Sequence, residues 1–269
     1  MDEQIKEKLR RWAKEYNVDT FIPDDPVQFP HRYTEKKDIE ISAFLTSWIS
    51  YGRRELILRK ANELHAVMGV SPYRWIMEEG YKDLPGNAVE PGKRDTFYRF
   101  YTYSHLRQLC ERLKSIYEEH ESLEDALAAS RYPNPITKIQ DVFSGIEGIP
   151  VLTGTSACKR LAMFLRWMVR KDGIVDFGIW GTSIRPHELI IPLDTHVHQI
   201  SLELGLTAQK NATLKTAIEI TEALKEVFPD DPCLGDFALF GYDIKRLKGK
   251  NTRLFYDGQV DLRGTDTRF

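Results

Sequence analysis

SACKRLAMFLRWMVRKDGIVDFGIWGTSIRPHELIIPLDTHVHQISLEL, running from Ser156 to Leu204, carries two helix signals, each with a chemically useful side chain at its start. Leu161, Phe164, Leu165 and Met168 fall at i, i+3, i+4 and i+7, an apolar stripe with helical period. Ser156 is a favoured N-cap type, which predicts Lys159 near the third helical position. The positive end of a helix disfavours a further cation, so this position should lower the amine's pKa and make it a usable nucleophile for imine chemistry. A solvated lysine on a polar helix face is the commoner role for a single lysine.

The second helix is predicted to begin at Pro192-Leu193-Asp194. Asp194 acts as N-cap, Val197, Ile200 and Leu204 form the apolar face, and Gly205 stands just past the end. A carboxylate that accepts backbone N–H bonds stays ionised at neutral pH. It can serve as a plain structural cap, or it can also stabilise a developing positive charge.

The lysine-led helix followed by Pro-Leu-Asp-Thr-His-Val resembles the helix-hairpin-helix DNA glycosylase superfamily, which includes endonuclease III. The separation of 35 residues between Lys159 and Asp194 is closest to the archaeal 8-oxoguanine DNA glycosylase branch. The chain also looks like a largely uncharacterised bacterial family related to that superfamily. The resemblance implies an all-α, two-lobed fold. A helical barrel would span 38–170, and residues 1–37 would join 171–269 in the second lobe. It further implies that Lys159 and Asp194 are catalytic, in a base-excision glycosylase with AP lyase activity acting on damaged double-stranded DNA. A flipped purine, 8-oxoguanine first, would be the substrate. His196 matches the family's histidine after the aspartate, and Asp176, Phe177 and Trp180 are cleft candidates. Two rivals stand beside this reading. One is a non-catalytic helical nucleic-acid-binding protein on the same fold. The other is a metal-dependent hydrolase using Asp194, His196 and His198; on a helix, however, residues two apart diverge by about 200°.

Outward from this stretch, the chain of 269 residues is long enough for a sizeable core. A net charge of −2 and a pI near 6.4 supply no global basic field. Three scattered cysteines, Cys110, Cys158 and Cys233, fit a reducing cytoplasm and lack the spacing of a metal or iron–sulfur site, endonuclease III's four-cysteine loop included. The charged N-terminus and the absence of a long apolar run predict neither signal peptide nor membrane span. A cytoplasmic monomer without cofactor or metal is expected.

An amphipathic helix is predicted over 2–16, and a proline-rich loop leads to Asp38. A strong stripe then runs through Ile41, Phe44, Leu45, Trp48 and Ile49. A turn at Tyr51-Gly52 precedes a helix ending at Gly69; Arg53, Arg54, Arg59 and Lys60 around it are phosphate-contact candidates, although such clusters are more often a solvated face. Residues 80–103 read as irregular, with an aromatic cluster at Phe97, Tyr98, Phe100, Tyr101 and Tyr103 that suits packing better than base stacking. Helices are expected at 104–119, 122–130 and 135–145. In the loop that follows, Gly145, Gly148 and Gly154 would present backbone amides to a DNA phosphate. This loop departs from the superfamily's shorter Leu-Pro-Gly-x-Gly hairpin. Beyond 205, helices are predicted at 213–228 and from Asp231-Pro232, and Asp257-Gly258 signals a small C-terminal β-hairpin as the sole β element.

Overall fold

A computed structural model describes residues 1–85, 95–181 and 183–249. It is mostly helical, and none of its helices is long and apolar enough to cross a membrane. In chain order the α-helices are α1 (Glu3–Tyr16), α2 (Lys36–Ile49), α3 (Arg54–Met68), α4 (Pro72–Met77), α5 (Tyr103–Glu119), α6 (Leu123–Ala129), α7 (Pro135–Val142), α8 (Lys159–Val169), α9 (Thr195–Glu203), α10 (Leu214–Lys225) and α11 (Leu234–Gly249).

Helix α2 is the hub. Every residue from Asp38 to Ile49 is buried, because α3, α4, α8 and the 3-10 turns of residues 26–32 enclose it. A helix buried all round must satisfy its polar groups internally. Asp38 accepts from the Ser71 hydroxyl and the Tyr73 amide, which anchors α4. Glu40, fully buried, accepts from Tyr117 Oη (2.8 Å), Leu123 N (3.1 Å) and Trp180 Nε1 (2.6 Å), so one carboxylate joins α5, α6 and the connection after α8. Burial pushes its pKa up, and the three donors oppose that rise. Glu40→Ala should cost about 3 kcal/mol or more, because each stranded donor is worth about 1–3 kcal/mol. Urea denaturation checks this; a loss under about 1 kcal/mol would mean that the donors find other partners.

His65 on α3 is also buried. Its ring stacks on Phe29 at 4.8 Å, Nδ1 lies 2.7 Å from the Ala61 carbonyl and Nε2 lies 2.7 Å from Ser42 Oγ. Burial lowers its pKa to about 4. The unfolded chain therefore takes up a proton near pH 6.5 that the folded chain refuses. The resulting stability is complete above pH 6.5 and disappears as pH falls to about 4, a change of about 3 kcal/mol. His65→Gln, which does not titrate, should remove this acid limb from melting curves recorded between pH 7 and 4. An unchanged limb would assign it to other groups.

The two ends of the sequence pack on each other. Trp12 and Tyr16 of α1 meet Tyr242 and Phe240 of α11 edge to face, at 5.0 and 5.6 Å. Gly241 permits the close approach, since a Cβ there would collide with the Tyr16 ring. Helix α11 begins at Leu234, later than Asp231-Pro232 predicts, after a tighter turn in which the amides of Leu234, Gly235 and Asp236 donate to the carbonyls of Asp231, Pro232 and Cys233; the Asp231 carboxylate accepts from Arg170 Nε at 2.7 Å.

The segment 95–103, read as irregular, contains an antiparallel pair, β1 (Thr96–Tyr98) and β2 (Tyr101–Thr102), joined by a two-residue turn at Arg99 and Phe100. A β element therefore exists where none was expected. The expected hairpin at Asp257-Gly258 and the turns at Gly86 and Pro91-Gly92 lie outside the described residues.

Candidate functional site

Helix α8 starts two residues later than a Ser156 cap implies. Cys158 takes a left-handed conformation (φ 55°), its amide donates to Ser156 Oγ at 3.1 Å, and Lys159 becomes the first helical residue. The helix's far end is closed by the chain that follows it: the amides of Phe177 and Trp180 donate to the carbonyls of Trp167 (2.8 Å) and Met168 (2.9 Å). That return path carries the buried strip through Ile190, Ile191 and Leu193 to Asp194.

Asp194 makes two contacts at once. Oδ1 accepts from the Val197 amide at 2.9 Å and so caps α9, while Oδ2 lies 2.9 Å from Lys159 Nζ. Burial pushes the carboxyl's pKa up, but Lys159 and the Val197 amide more than reverse this and hold it below the usual aspartate value. The lysine and aspartate side chains are 34% and 26% exposed, enough for a ligand to reach both. Two residues 35 apart in sequence thus form one ion pair across the starts of two helices.

The pair lies where two cavities meet. The inner pocket, about 160 Å³, has aromatic walls from Phe21, Phe237 and Phe240, with Phe21 at 5.3 Å from each of the other two rings. Asp25, Asp236 and Asp243 add carboxylates to it. Asp236 pairs with Arg166 of α8; burial nonetheless raises its pKa to about 6. Arg54 and Arg166 line the inner pocket too; the outer groove, about 610 Å³, is more uniformly basic, with Arg53, Arg99 and Arg160 around the openings of α8 and α9. Ser50, Ile57, Lys159, Asp194 and His196 line both. An aromatic pocket whose Asp25 and Asp236 are paired with Arg54 and Arg166 therefore opens through the Lys159–Asp194 pair into a basic groove.

Other sequence candidates divide. His196 lines both cavities, half exposed, with Nδ1 4.0 Å from Asp243. Trp180 is a core residue, 1% exposed, because its indole is needed by Glu40. Asp176 lines neither cavity: it is buried behind Arg166 (3.3 Å), which lines the inner pocket, and beside Arg170 (2.8 Å) at the end of α8, two arginines that must be neutralised inside. Phe177 packs on the His31 ring at 4.3 Å and lines neither cavity. The expectation that these three enter the cleft is corrected.

Arg53 lines the groove, as a phosphate contact requires. Arg54 turns the other way, into the inner pocket, 3.8 Å from Asp25. Arg59 is exposed, and Lys60 pairs with Glu63 while its ammonium lies 5.3 Å over Phe97; neither lines a cavity. Gly148 borders the groove with φ 81°, its carbonyl accepting from Arg160 at 2.8 Å, and Tyr101 leaves no room for a Cβ. Gly145 and Gly154 are exposed but outside both cavities, and the Gly154 amide is already bonded to the Val151 carbonyl at 2.9 Å. The loop is tied down through its carbonyls instead. Trp48 Nε1 donates to Glu147 O (2.8 Å), and Gln140 Nε2 donates to Pro150 O (2.8 Å) and Val151 O (3.2 Å).

His198 is turned away from Asp194 and His196. It is buried, with Nε2 2.8 Å from the Gln209 carbonyl, so the Asp-Thr-His-Val-His run does not converge on one point. No group of three His, Cys, Asp or Glu side chains placed to hold a metal ion occurs among the described residues.

No curated protein and no solved structure matches the chain significantly. A family model described as "Protein of unknown function (DUF2400)" matches residues 25–245, which includes every residue of the Lys159–Asp194 junction except Phe21. The chain belongs to the DUF2400 family.

Proposed function

We propose that the protein is a base-excision DNA glycosylase with AP lyase activity, taking a damaged purine, 8-oxoguanine first, flipped out of a duplex. The observation that carries this reading is the 2.9 Å contact of Lys159 Nζ with Asp194 Oδ2 at the junction of an aromatic pocket and a basic groove. A base has a planar face and donor edges, which suit the phenylalanines and carboxylates of the inner pocket. A phosphodiester suits the arginines and helix openings of the groove. The sugar between them falls at the ion pair. A glycosidic carbon is out of reach inside a stacked duplex, so the base must leave the stack first.

In this scheme Asp194 takes a proton from the Lys159 ammonium, and the freed amine attacks C1′. The new N–C1′ bond replaces the bond from C1′ to the base, whose electron pair leaves with the base and is protonated there. The Asp194 carboxyl passes the lysine proton on to the departing base, and its restored negative charge stabilises the oxocarbenium-like state. The nitrogen gives up its proton and its electron pair forms the C=N bond, while O4′ leaves C1′ and takes up a proton as the C4′ hydroxyl, which gives an imine. Removal of a C2′ proton then expels the 3′ phosphate, which cuts the strand and leaves a conjugated imine for hydrolysis.

The test is a panel of modified-base duplexes incubated with the protein and borohydride and resolved on a denaturing gel. A covalent adduct on at least one modified duplex, absent with undamaged DNA, is expected. No adduct with any base or with a preformed abasic site would leave the groove as a nucleic-acid-binding surface without turnover. The metal-hydrolase alternative is disfavoured by the orientation of His198.

A further inference from the structure

The β1–β2 turn separates one aromatic residue from its neighbours. Phe97, Tyr98 and Tyr101 are buried at 5% or less exposure, whereas Phe100 at the tip is 73% exposed. Leaving a phenyl ring in water forgoes the free energy of burying it. Arg99 beside it has φ 53°, a left-handed conformation unusual for arginine. The turn is nonetheless firmly placed. Tyr98 Oη donates to Tyr51 O at 2.7 Å, Tyr51 Oη donates to Tyr98 O at 3.3 Å, and the Phe100 amide donates to Tyr51 Oη at 3.4 Å. Arg99 lies against Gly52, where a Cβ would meet its guanidinium at 2.7 Å, and its Cζ sits 5.5 Å from the Tyr51 ring and 5.9 Å from the Phe100 ring. The same arginine lines the outer groove together with Lys159 and Asp194.

We propose that the Arg99–Phe100 turn is a stacking platform for an unstacked nucleobase next to the nucleotide held at Lys159, an inference that rests on the DNA reading above. The occupant is set by charge. The groove bordered by this turn carries Arg53, Arg99, Arg160 and Lys159 against the single carboxylate of Asp194, which fits a polyanion. An exposed ring beside a guanidinium offers two planar faces to a base while the groove holds its phosphates. When one nucleotide leaves the stack its neighbour loses a partner, and Phe100 replaces that partner. No base edge is read, so the platform is indifferent to sequence.

The experiment measures affinity of the full chain, by fluorescence anisotropy, for a duplex with a central tetrahydrofuran abasic-site analogue. Phe100→Ala should weaken binding about tenfold or more, and Phe100→Trp should retain it with quenching of the introduced indole fluorescence. Val70→Ala, at a still more exposed apolar residue outside both cavities, should leave it unchanged. Binding by Phe100→Ala within twofold of wild type overturns the platform, as does an equal loss with Val70→Ala. The borohydride adduct is scored separately. Affinity that depends on Phe100 without any adduct sinks the lyase and keeps the platform; an adduct with affinity indifferent to Phe100 sinks the platform alone. Absence of binding by the wild type sinks both.

Discussion

Lys159→Gln should abolish the borohydride adduct and slow base release at least a thousandfold in single-turnover assays, while affinity for an abasic-analogue duplex stays within about threefold of wild type. The size of the effect follows from what is removed. Glutamine is one atom shorter and still carries an N–H donor, but it has no amine to form an imine, so the covalent route is closed rather than weakened. Stability should scarcely change, because a pair in which the lysine is 34% exposed is worth about 1 kcal/mol or less. Asp194 also keeps its bond to the Val197 amide, so the start of α9 is retained. Gel resolution of the borohydride reaction and anisotropy on the same preparation separate chemistry from binding. An adduct of wild-type intensity in this variant would assign the chemistry to a different amine.

What the sequence disclosed and what it hid have physical reasons. Helix α8 is legible because its apolar stripe keeps a 3.6-residue period, and α9 because an aspartate followed by an apolar face is a local cap signal. The pairing of Lys159 with Asp194 came only through resemblance, since no local rule brings together two helix starts 35 residues apart. Helix α2 reads as amphipathic, but it is enclosed on all sides. Its polar residues, Glu40 above all, look like a wet face until their partners on α5, α6 and the later connection are known. Asp176 was misread for a similar reason. A signal was present, though: Arg166 and Arg170 are four residues apart in and just beyond the apolar half of α8 and demand a buried anion. The aromatic lining of the inner pocket was illegible, because Phe21 sits in a proline-broken loop and meets Phe237 and Phe240 from the other end of the chain. The small sheet at Thr96–Thr102 is too short for an alternation to declare itself, so its exposed tip could not be told from its buried flanks.

Asp194→Asn should lower base release from a modified duplex about 10²- to 10³-fold, yet reduce adduct formation on a preformed abasic site by no more than about tenfold. Asparagine is as good an N-cap as aspartate, so the Val197 amide keeps an acceptor and α9 keeps its start. What disappears is the charge 2.9 Å from the lysine nitrogen. Breaking a glycosidic bond builds positive charge at C1′ and needs the amine deprotonated, and both demands fall on this carboxylate. A preformed abasic site presents an aldehyde, whose carbonyl carbon needs no departing base, so the amine alone suffices. The wild-type carboxyl also contributes to stability: because its folded pKa is depressed, that contribution is present above the ordinary aspartate range and is lost as pH falls through the folded value. Asp194→Asn should remove this contribution without unfolding the protein, whereas Asp194→Ala should cost about 1 kcal/mol more through the lost cap. Equal losses on the two substrates would show that Asp194 serves to orient Lys159 rather than to stabilise the departing base's sugar. Separate rate measurements on the modified-base and abasic duplexes, made with one enzyme preparation, distinguish these roles.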